Sequence, residues 1–347
     1  VTGLWEMLRD DCIRDPDGCD VLAIPHNPNL SGGIMYPDPA SQAEAEERLF
    51  MEPIVEMIQH KAASECRFDR LLGRGLDTND ELCAFEQNLT DNLASLAILF
   101  GEVQSERGEP VALEDFGRRT MIRNVLKDGL ALERKNGINP FRMGFIGSTD
   151  THSAIPGGTE EGDYVGHLGR RDAGFRNVQD HYQDNPGGLA VVWAEENARD
   201  SLFEGMRRRE TYATSGTRPI VRFFAGTGYD ESLCEADDAV RQAYAGGVPM
   251  GGVLEAASAP RLFALALKDA GTPDQPGTDL QRIQIVKGWI DTEGRTHEQV
   301  IDVAGAADDG AGVDPATCAP TGSGADRLCT VWEDPAWAPG QNAFYYA

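Results

Sequence analysis

The segment around Asp150 and His152 carries the residue types best suited to metal chemistry. Phe145 and Ile146 lie among small residues, a pattern that predicts a short buried strand, and Asp150-Thr151-His152 follows it. A carboxylate and an imidazole at the carboxyl end of a strand can bind one metal ion, and β/α-barrel enzymes hold their ligands at that end. Such donors suit Zn, Mn or Fe. Asp150 could instead cap the loop that begins there.

A second apolar run, residues 21–25, predicts another strand, and His26 follows it directly. The polar loop after His26 contains Asn27, Asn29 and Ser31, which we predict to contact a substrate. We predict His26 to be a metal ligand, because it again stands at the end of a strand. Taken alone, His26 could equally be a hydrogen-bonded structural residue.

A carboxylate lies inside a third apolar run. Glu56 interrupts residues 54–59, which are predicted to form a strand, and Glu65 follows shortly after. A buried carboxylate is costly unless it is paired or bound to metal. Glu56 or Glu65 is therefore predicted to be a further metal ligand, although Glu56 could point outward from a half-exposed strand. The remaining histidines lie in polar contexts and are predicted to be surface residues: His60, His167, His181 and His297.

Composition narrows the class of protein. The chain has 347 residues and a formal net charge of −26. This acidity disfavours nucleic acid and anionic membrane surfaces as partners, because the electrostatic term would be repulsive. No apolar run approaches the length of a membrane span. We expect a soluble protein with a small-molecule substrate, and, because Val1 begins within an apparently structured segment, an N-terminal portion missing from this chain.

The chain has seven cysteines, and several flank polar loops. Close pairs across such loops predict disulfides and an oxidising compartment, which we take to be the periplasm or the cell exterior. The alternative is a set of free thiols in a cytosolic protein. No partner is predicted for Cys234. The predicted disulfides are Cys12–Cys19, Cys66–Cys83 and Cys318–Cys329.

Two portions differ in their patterns. Residues 1–218 alternate strand and helix signals, which predicts an α/β portion with helices outside a sheet or barrel. Residues 219–347 contain strand signals and a single possible helix at 235–245, which predicts a β-rich antiparallel module. The predicted helices of the first portion are 41–50, 80–103, 113–134 and 196–209; its other predicted strands are 20–25, 54–59 and 189–193.

The chain resembles a known family, DUF3604, a branch of the PHP (polymerase and histidinol phosphatase) metallohydrolases. The resemblance covers nearly the whole chain and rests on long motifs. They are Ile24 to Ser31, Ser64-Glu65, Asp80 to Leu82, Asn139-Pro140, Gly144 to Gly158, Pro186 to Leu189, Trp193 to Asn197, Arg208 to Gly216, Gly247 to Gly252 and Gln281 to Trp289.

The resemblance implies a distorted β/α barrel with a centre of two or three divalent metal ions. His26 would match the lone strand-end histidine of that centre, and Asp150 and His152 its closing Asp-x-His. Glu56 or Glu65 could fill a middle position. The family pattern opens with His-x-His, which this chain lacks. We therefore expect the first strands to lie upstream, so that a missing segment or another chain completes a partial barrel.

The function predicted from these features is a metal-dependent hydrolase. Metal ions would activate a water molecule that attacks a phosphoester, ester or carbamate bond. Asp150 would also take a proton from the nucleophile. Arg218 could bind an anionic group of the substrate or form a structural ion pair. The alternative is a secreted binding or structural protein that keeps the barrel without a complete metal site. A His-x-His upstream would favour the enzyme.

Overall fold

The computed structural model describes residues 2–14, 19–87, 113–152, 154, 187–307, 311–314, 316–317 and 319–347. These residues form a mixed α/β fold with several small sheets. Their α-helices are α1 (Thr2–Leu8), α2 (Gln42–Met51), α3 (Ile122–Asn136), α4 (Arg199–Arg207) and α5 (Ala239–Gly246).

The strands before the predicted boundary are short. They are β1 (Ile54–Gln59), β2 (Ala62–Ala63), β3 (Phe68–Asp69), β4 (Arg74–Gly75), β5 (Gly144–Gly147), β6 (Leu189–Val192) and β7 (Thr211–Thr214). The later strands are β8 (Ile220–Gly226), β9 (Gly247–Pro249), β10 (Arg261–Leu267), β11 (Arg282–Ile290), β12 (Thr296–Gly305), β13 (Gly312–Val313), β14 (Pro320–Thr321), β15 (Arg327–Glu333) and β16 (Ala343–Tyr346).

The sheet that matters for the site has three strands in the order β2-β1-β5. β1 and β5 are parallel, with Ile54 opposite Gly144, so their carboxyl ends lie at the same edge. β1 and β2 form an antiparallel hairpin in which Gln59 faces Ala62, so that His60 and Lys61 make the turn. The turn between β1 and β2 therefore lies at the same edge as the end of β5.

The predicted barrel is only partly reflected in this arrangement. No closed barrel exists among the described residues, where β1 and β5 are the one parallel pair and β6 and β7 form a separate antiparallel pair. The predicted strand at 20–25 is wrong, because this segment makes only isolated backbone hydrogen bonds. Ala23 N donates to Met51 O, and Pro25 O accepts from Glu56 N. Pro25 has no N–H with which to extend a ladder.

Of the described helices, α3 shares the core of this sheet. Ser41 caps α2, since its side chain accepts a hydrogen bond from Glu44 N at 3.1 Å, a standard helix start. The helix predicted from 113 begins only at Ile122, because Gly117 and Met121 have extended backbones. Val55, Val125 and Phe141 form the centre of the core beneath the sheet. Most of the helix predicted at 80–103 lies outside the described residues.

The later portion is antiparallel, as predicted. Its sheets have the strand orders β15-β10-β8-β9 and β12-β11-β16. Alternate apolar side chains such as Phe263 and Leu262 belong to the two cores on either face of β10, as expected of strands packed on both sides. Phe344 and Tyr346 of β16 reach the core of the first portion. The boundary between residues 218 and 219 stays a prediction.

Two predicted disulfides are confirmed. Cys12–Cys19 and Cys66–Cys83 have Cα atoms 4.9 and 5.2 Å apart. The predicted pair Cys318–Cys329 is wrong, because Cys329 bonds to Cys234 across 95 residues, with Cα atoms 5.8 Å apart. Cys234 lies against the core that α5 shares with β15, and this packing brings the two sulfurs together. Cys318 lies outside the described residues.

Candidate metal centre

The edge where β1 and β5 end carries a cluster of His60, Asp150 and His152. Each offers a ligand atom, and these atoms all lie within 4.8 Å of one another. His60 comes from the turn after β1, whereas Asp150 and His152 follow β5. The backbone fixes their approach, because Ser148 N donates to Ile58 O at 2.9 Å and continues the pairing of the two strands.

His60 is the residue that sequence reasoning missed. It was predicted to be on the surface, but it is only 2 % exposed. Its Nε2 lies 3.1 Å from Asp150 Oδ2, and its ring stands edge-on to that of His152 with centroids 5.6 Å apart. The signal was present, since His60 follows the apolar run 54–59 as directly as His26 follows 21–25.

Asp150 is held in an unusual position. Its φ of 51° is left-handed, a conformation uncommon outside glycine and tolerated best by Asn and Asp. Its carboxylate accepts from His60 and pairs with the Lys61 ammonium. Partial burial alone would raise the pKa of Asp150, but the hydrogen bond from His60 and the pairing with Lys61 outweigh it and lower the pKa well below its usual range. The carboxylate is therefore ionised, as a metal ligand must be.

Glu56 and His26 lie beside this cluster without belonging to it. Glu56 is buried, and its carboxylate accepts from the hydroxyl of Ser148 and from Gln59 Nε2 at 3.2 Å. The same Gln59 amide donates to Asn27 Oδ1. Asn27 Nδ2 lies 2.9 Å from Nδ1 of the exposed His26. A chain of hydrogen bonds thus links these two predicted ligands along the same edge of the sheet.

Glu65 lies in a different environment. Its carboxylate accepts from Arg123 Nη2 at 2.5 Å and from the Tyr346 hydroxyl at 2.6 Å. Arg123 also contacts Asp80 and Glu298, at 3.0 and 3.3 Å. Glu65 is therefore part of an ion-pair network that joins α3 to the later sheets, and it is not one of the three members of the His60 cluster.

The predicted substrate-binding residues are differently placed. Asn29 is buried, and its Nδ2 donates to Lys61 O at 2.8 Å, so it supports the turn that carries His60. Ser31 is also buried, and its hydroxyl donates to Pro28 O at 2.7 Å. The side chain of Asn27 bridges His26 and Gln59. The backbone N–H of Arg218 donates to Asp269 at 2.7 Å.

The donor set fits a divalent ion of the borderline class. Two imidazoles and a carboxylate are the three-ligand combination typical of catalytic zinc sites, which leave a position for water. Lys61 Nζ now lies 3.0 Å from His60 Nε2 and contacts Asp150. An ion bound by both residues would therefore have to displace the ammonium. The other grouping of possible ligands, Cys66, Asp80 and Cys83, has its two sulfurs joined in a disulfide.

The protein therefore has a mixed α/β fold with a histidine–carboxylate cluster at the ends of two parallel strands. The family described as "Protein of unknown function (DUF3604)" matches residues 1–347, and the chain belongs to it. No curated protein and no solved structure matches the chain. Among the described residues, no helix is long and apolar enough to cross a membrane. The three disulfides fit an extracellular or periplasmic environment.

Proposed function

We propose that this protein is a metal-dependent hydrolase of the PHP type that cleaves a phosphoester, ester or carbamate bond. The observation that carries the proposal is the convergence of His60, Asp150 and His152 at the end of β1 and β5. A divalent ion held there would act as a Lewis acid and lower the pKa of a water molecule. Two or three ions are predicted in all, and Glu56 and His26 are the residues proposed for a second one.

The residues of the cluster have distinct roles in this proposal. His60 Nε2 and Asp150 Oδ2, which lie 3.1 Å apart, would both bind the ion directly, and Asp150 is also proposed to take a proton from the nucleophile. After a bound ion has displaced it, the ammonium of Lys61 remains close to the ion. There it can stabilise negative charge that develops on a substrate. Arg218 is proposed to bind an anionic group of the substrate. Asn27 is proposed to contact the substrate nearer the cluster.

The protein is proposed to act in the periplasm or after secretion, because its described sulfurs are oxidised in three pairs. The alternative function, a secreted binding or structural protein without catalysis, has a specific observation in its favour. Lys61 already supplies a positive charge to Asp150, so the cluster is electrostatically satisfied by the chain's own residues.

Metal binding by matched histidine variants separates the two functions. His297 is the natural control for His60, since it contacts Asp291 at 2.8 Å in a second His–Asp pair. We expect the purified protein to bind Zn²⁺ or Mn²⁺, His60→Ala to weaken binding at least about 100-fold, and His297→Ala to leave it unchanged. Calorimetry would measure affinity, and hydrolysis of p-nitrophenyl phosphate and p-nitrophenyl acetate would report activity. Absence of metal binding, or equal binding by His60→Ala, would favour the non-catalytic alternative.

A further inference from the structure

A cavity of about 670 Å³ lies at the opposite end of β5 from the metal cluster. Its walls come from the start of β5, from β8 and β9 and from the last strand, β16. The four residues of β5, a length of roughly 13 Å, separate the cavity from the cluster. Its volume is that of a small-molecule site, and the function proposed above makes no use of it.

Arg209 stands in the cavity wall in a fixed and strained conformation. Its φ is 63°, a left-handed conformation that is strained for a residue other than glycine. The backbone is held there by close packing against two glycines. A Cβ at Gly144 would lie 2.8 Å from Arg209 Cβ, and one at Gly251 would overlap Arg209 O. Arg209 Nε donates to Gly251 O at 2.9 Å, which anchors the base of the guanidinium.

The guanidinium of Arg209 has no carboxylate partner within the part of the chain that the structure describes, and no group there accepts from its two Nη atoms. Arg142, on the same wall, differs, since its Nη2 pairs with Glu133 Oε1 at 2.8 Å. Partial burial and the neighbouring charge of Arg142 both lower the pKa of Arg209. In a chain with a net charge of −26, a half-buried arginine without a carboxylate is a place for an external anion.

The remaining lining explains what else the ligand should contain. Thr211 is 3 % exposed, and its Oγ1 has no hydrogen-bond partner among the described residues. Met250, Val253 and Leu254 supply accessible apolar surface to the same cavity. A ligand that fits should therefore join an anionic head to an apolar body, since apolar walls gain from covering apolar groups.

We propose that this cavity binds a small monocarboxylate with an apolar body, held by the two Nη groups of Arg209. A planar carboxylate can accept two parallel hydrogen bonds from a guanidinium fork. Arg209 offers one positive charge and the lining also contains Glu255, so repulsion disfavours a phosphate dianion more than a monocarboxylate. The apolar body lies against Met250, Val253 and Leu254.

The test uses calorimetry on the full chain with 3-phenylpropionate, its neutral isostere 3-phenylpropanamide, and phenyl phosphate. We expect the carboxylate to bind at least tenfold more tightly than the amide or the phosphate. Arg209→Gln should remove the preference for the carboxylate. Arg208→Gln is the matched control, because Arg208 is exposed and contacts Glu210, and it should retain the preference.

Two further measurements keep the result decisive if Arg209→Gln fails to fold, as judged by circular dichroism. Leu254→Trp, which adds bulk to the cavity lining without touching the charge, should weaken carboxylate binding at least tenfold. Chelation of metal with EDTA should leave it unchanged, which separates this site from the metal cluster. No binding of the carboxylate, equal binding of the amide, tighter binding of phenyl phosphate, a preference that survives Arg209→Gln, or loss of binding with EDTA would each overturn the proposal.

Discussion

The cluster at His60 and a second cluster at His297 are built from the same residue types. In the first, Asp150 contacts His60 and Lys61. In the second, Asp291 contacts His297 at 2.8 Å and Arg295 at 3.0 Å. His297 and Asp291 are six residues apart in the sequence, whereas His60 and Asp150 are 90 apart.

Their surroundings make them different. The side chain of His60 is 3 % exposed and that of His297 is 38 % exposed. Asp291 also accepts from the backbone N–H groups of Glu293 and Arg295, both at 2.9 Å, and so caps the turn between β11 and β12. Asp150 makes no such capping bond among those described and has His152 as an additional neighbour. A second imidazole and a carboxylate without a capping role distinguish a possible metal site from a turn.

The largest effect should come from removing each aspartate. We expect Asp150→Ala to weaken Zn²⁺ or Mn²⁺ binding at least about 100-fold. Asp291→Ala should leave metal binding unchanged but lower the free energy of unfolding, because it removes the cap of a turn. Calorimetry and urea denaturation would measure the two quantities. If both variants lost metal equally, the distinction between the clusters would be wrong.

A smaller effect should follow from removing the basic residue of each cluster. Lys61→Met takes away the cation that competes with a metal ion for Asp150. Because a partly exposed ion pair contributes at most about 1 kcal/mol, metal affinity should rise roughly fivefold. Arg295→Met, the matched control at Asp291, should leave affinity unchanged. Weaker binding by Lys61→Met would mean that Lys61 supports the site instead of competing for it.

The smallest effect concerns pH and the second cluster. The hydrogen bond from His297, followed by that from the Arg295 backbone, lowers the pKa of Asp291. A carboxyl whose pKa is lower in the folded state stabilises the fold above its ordinary pKa of about 3.9, and this stability is lost as the pH falls through the folded value. The melting temperature should therefore decline below about pH 4, and less steeply in Asp291→Ala. Parallel declines in the two proteins would show that Asp291 does not contribute.

Much of the local structure was predictable because it depends on short patterns. The apolar runs gave β1 and β5, and Ser41 before an Ala/Glu-rich segment marked the start of α2. The antiparallel nature of the later strands also followed from their pattern. The segment at 20–25 failed for a physical reason, since an apolar run shows burial but not whether its N–H groups find a neighbouring strand.

The sequence by itself determined that Asp150 and His152 stand at the end of a buried strand, and that Cys12 and Cys66 have partners nearby in the chain. Only the tertiary structure decided which other residues join them. His60 contacts Asp150 across 90 residues, and Cys234 reaches Cys329 across 95. Glu65, which has the same carboxylate as Glu56, lies instead against Arg123. Residue type sets what a side chain can bind, but the pairing of distant strands sets which partners come within bonding distance.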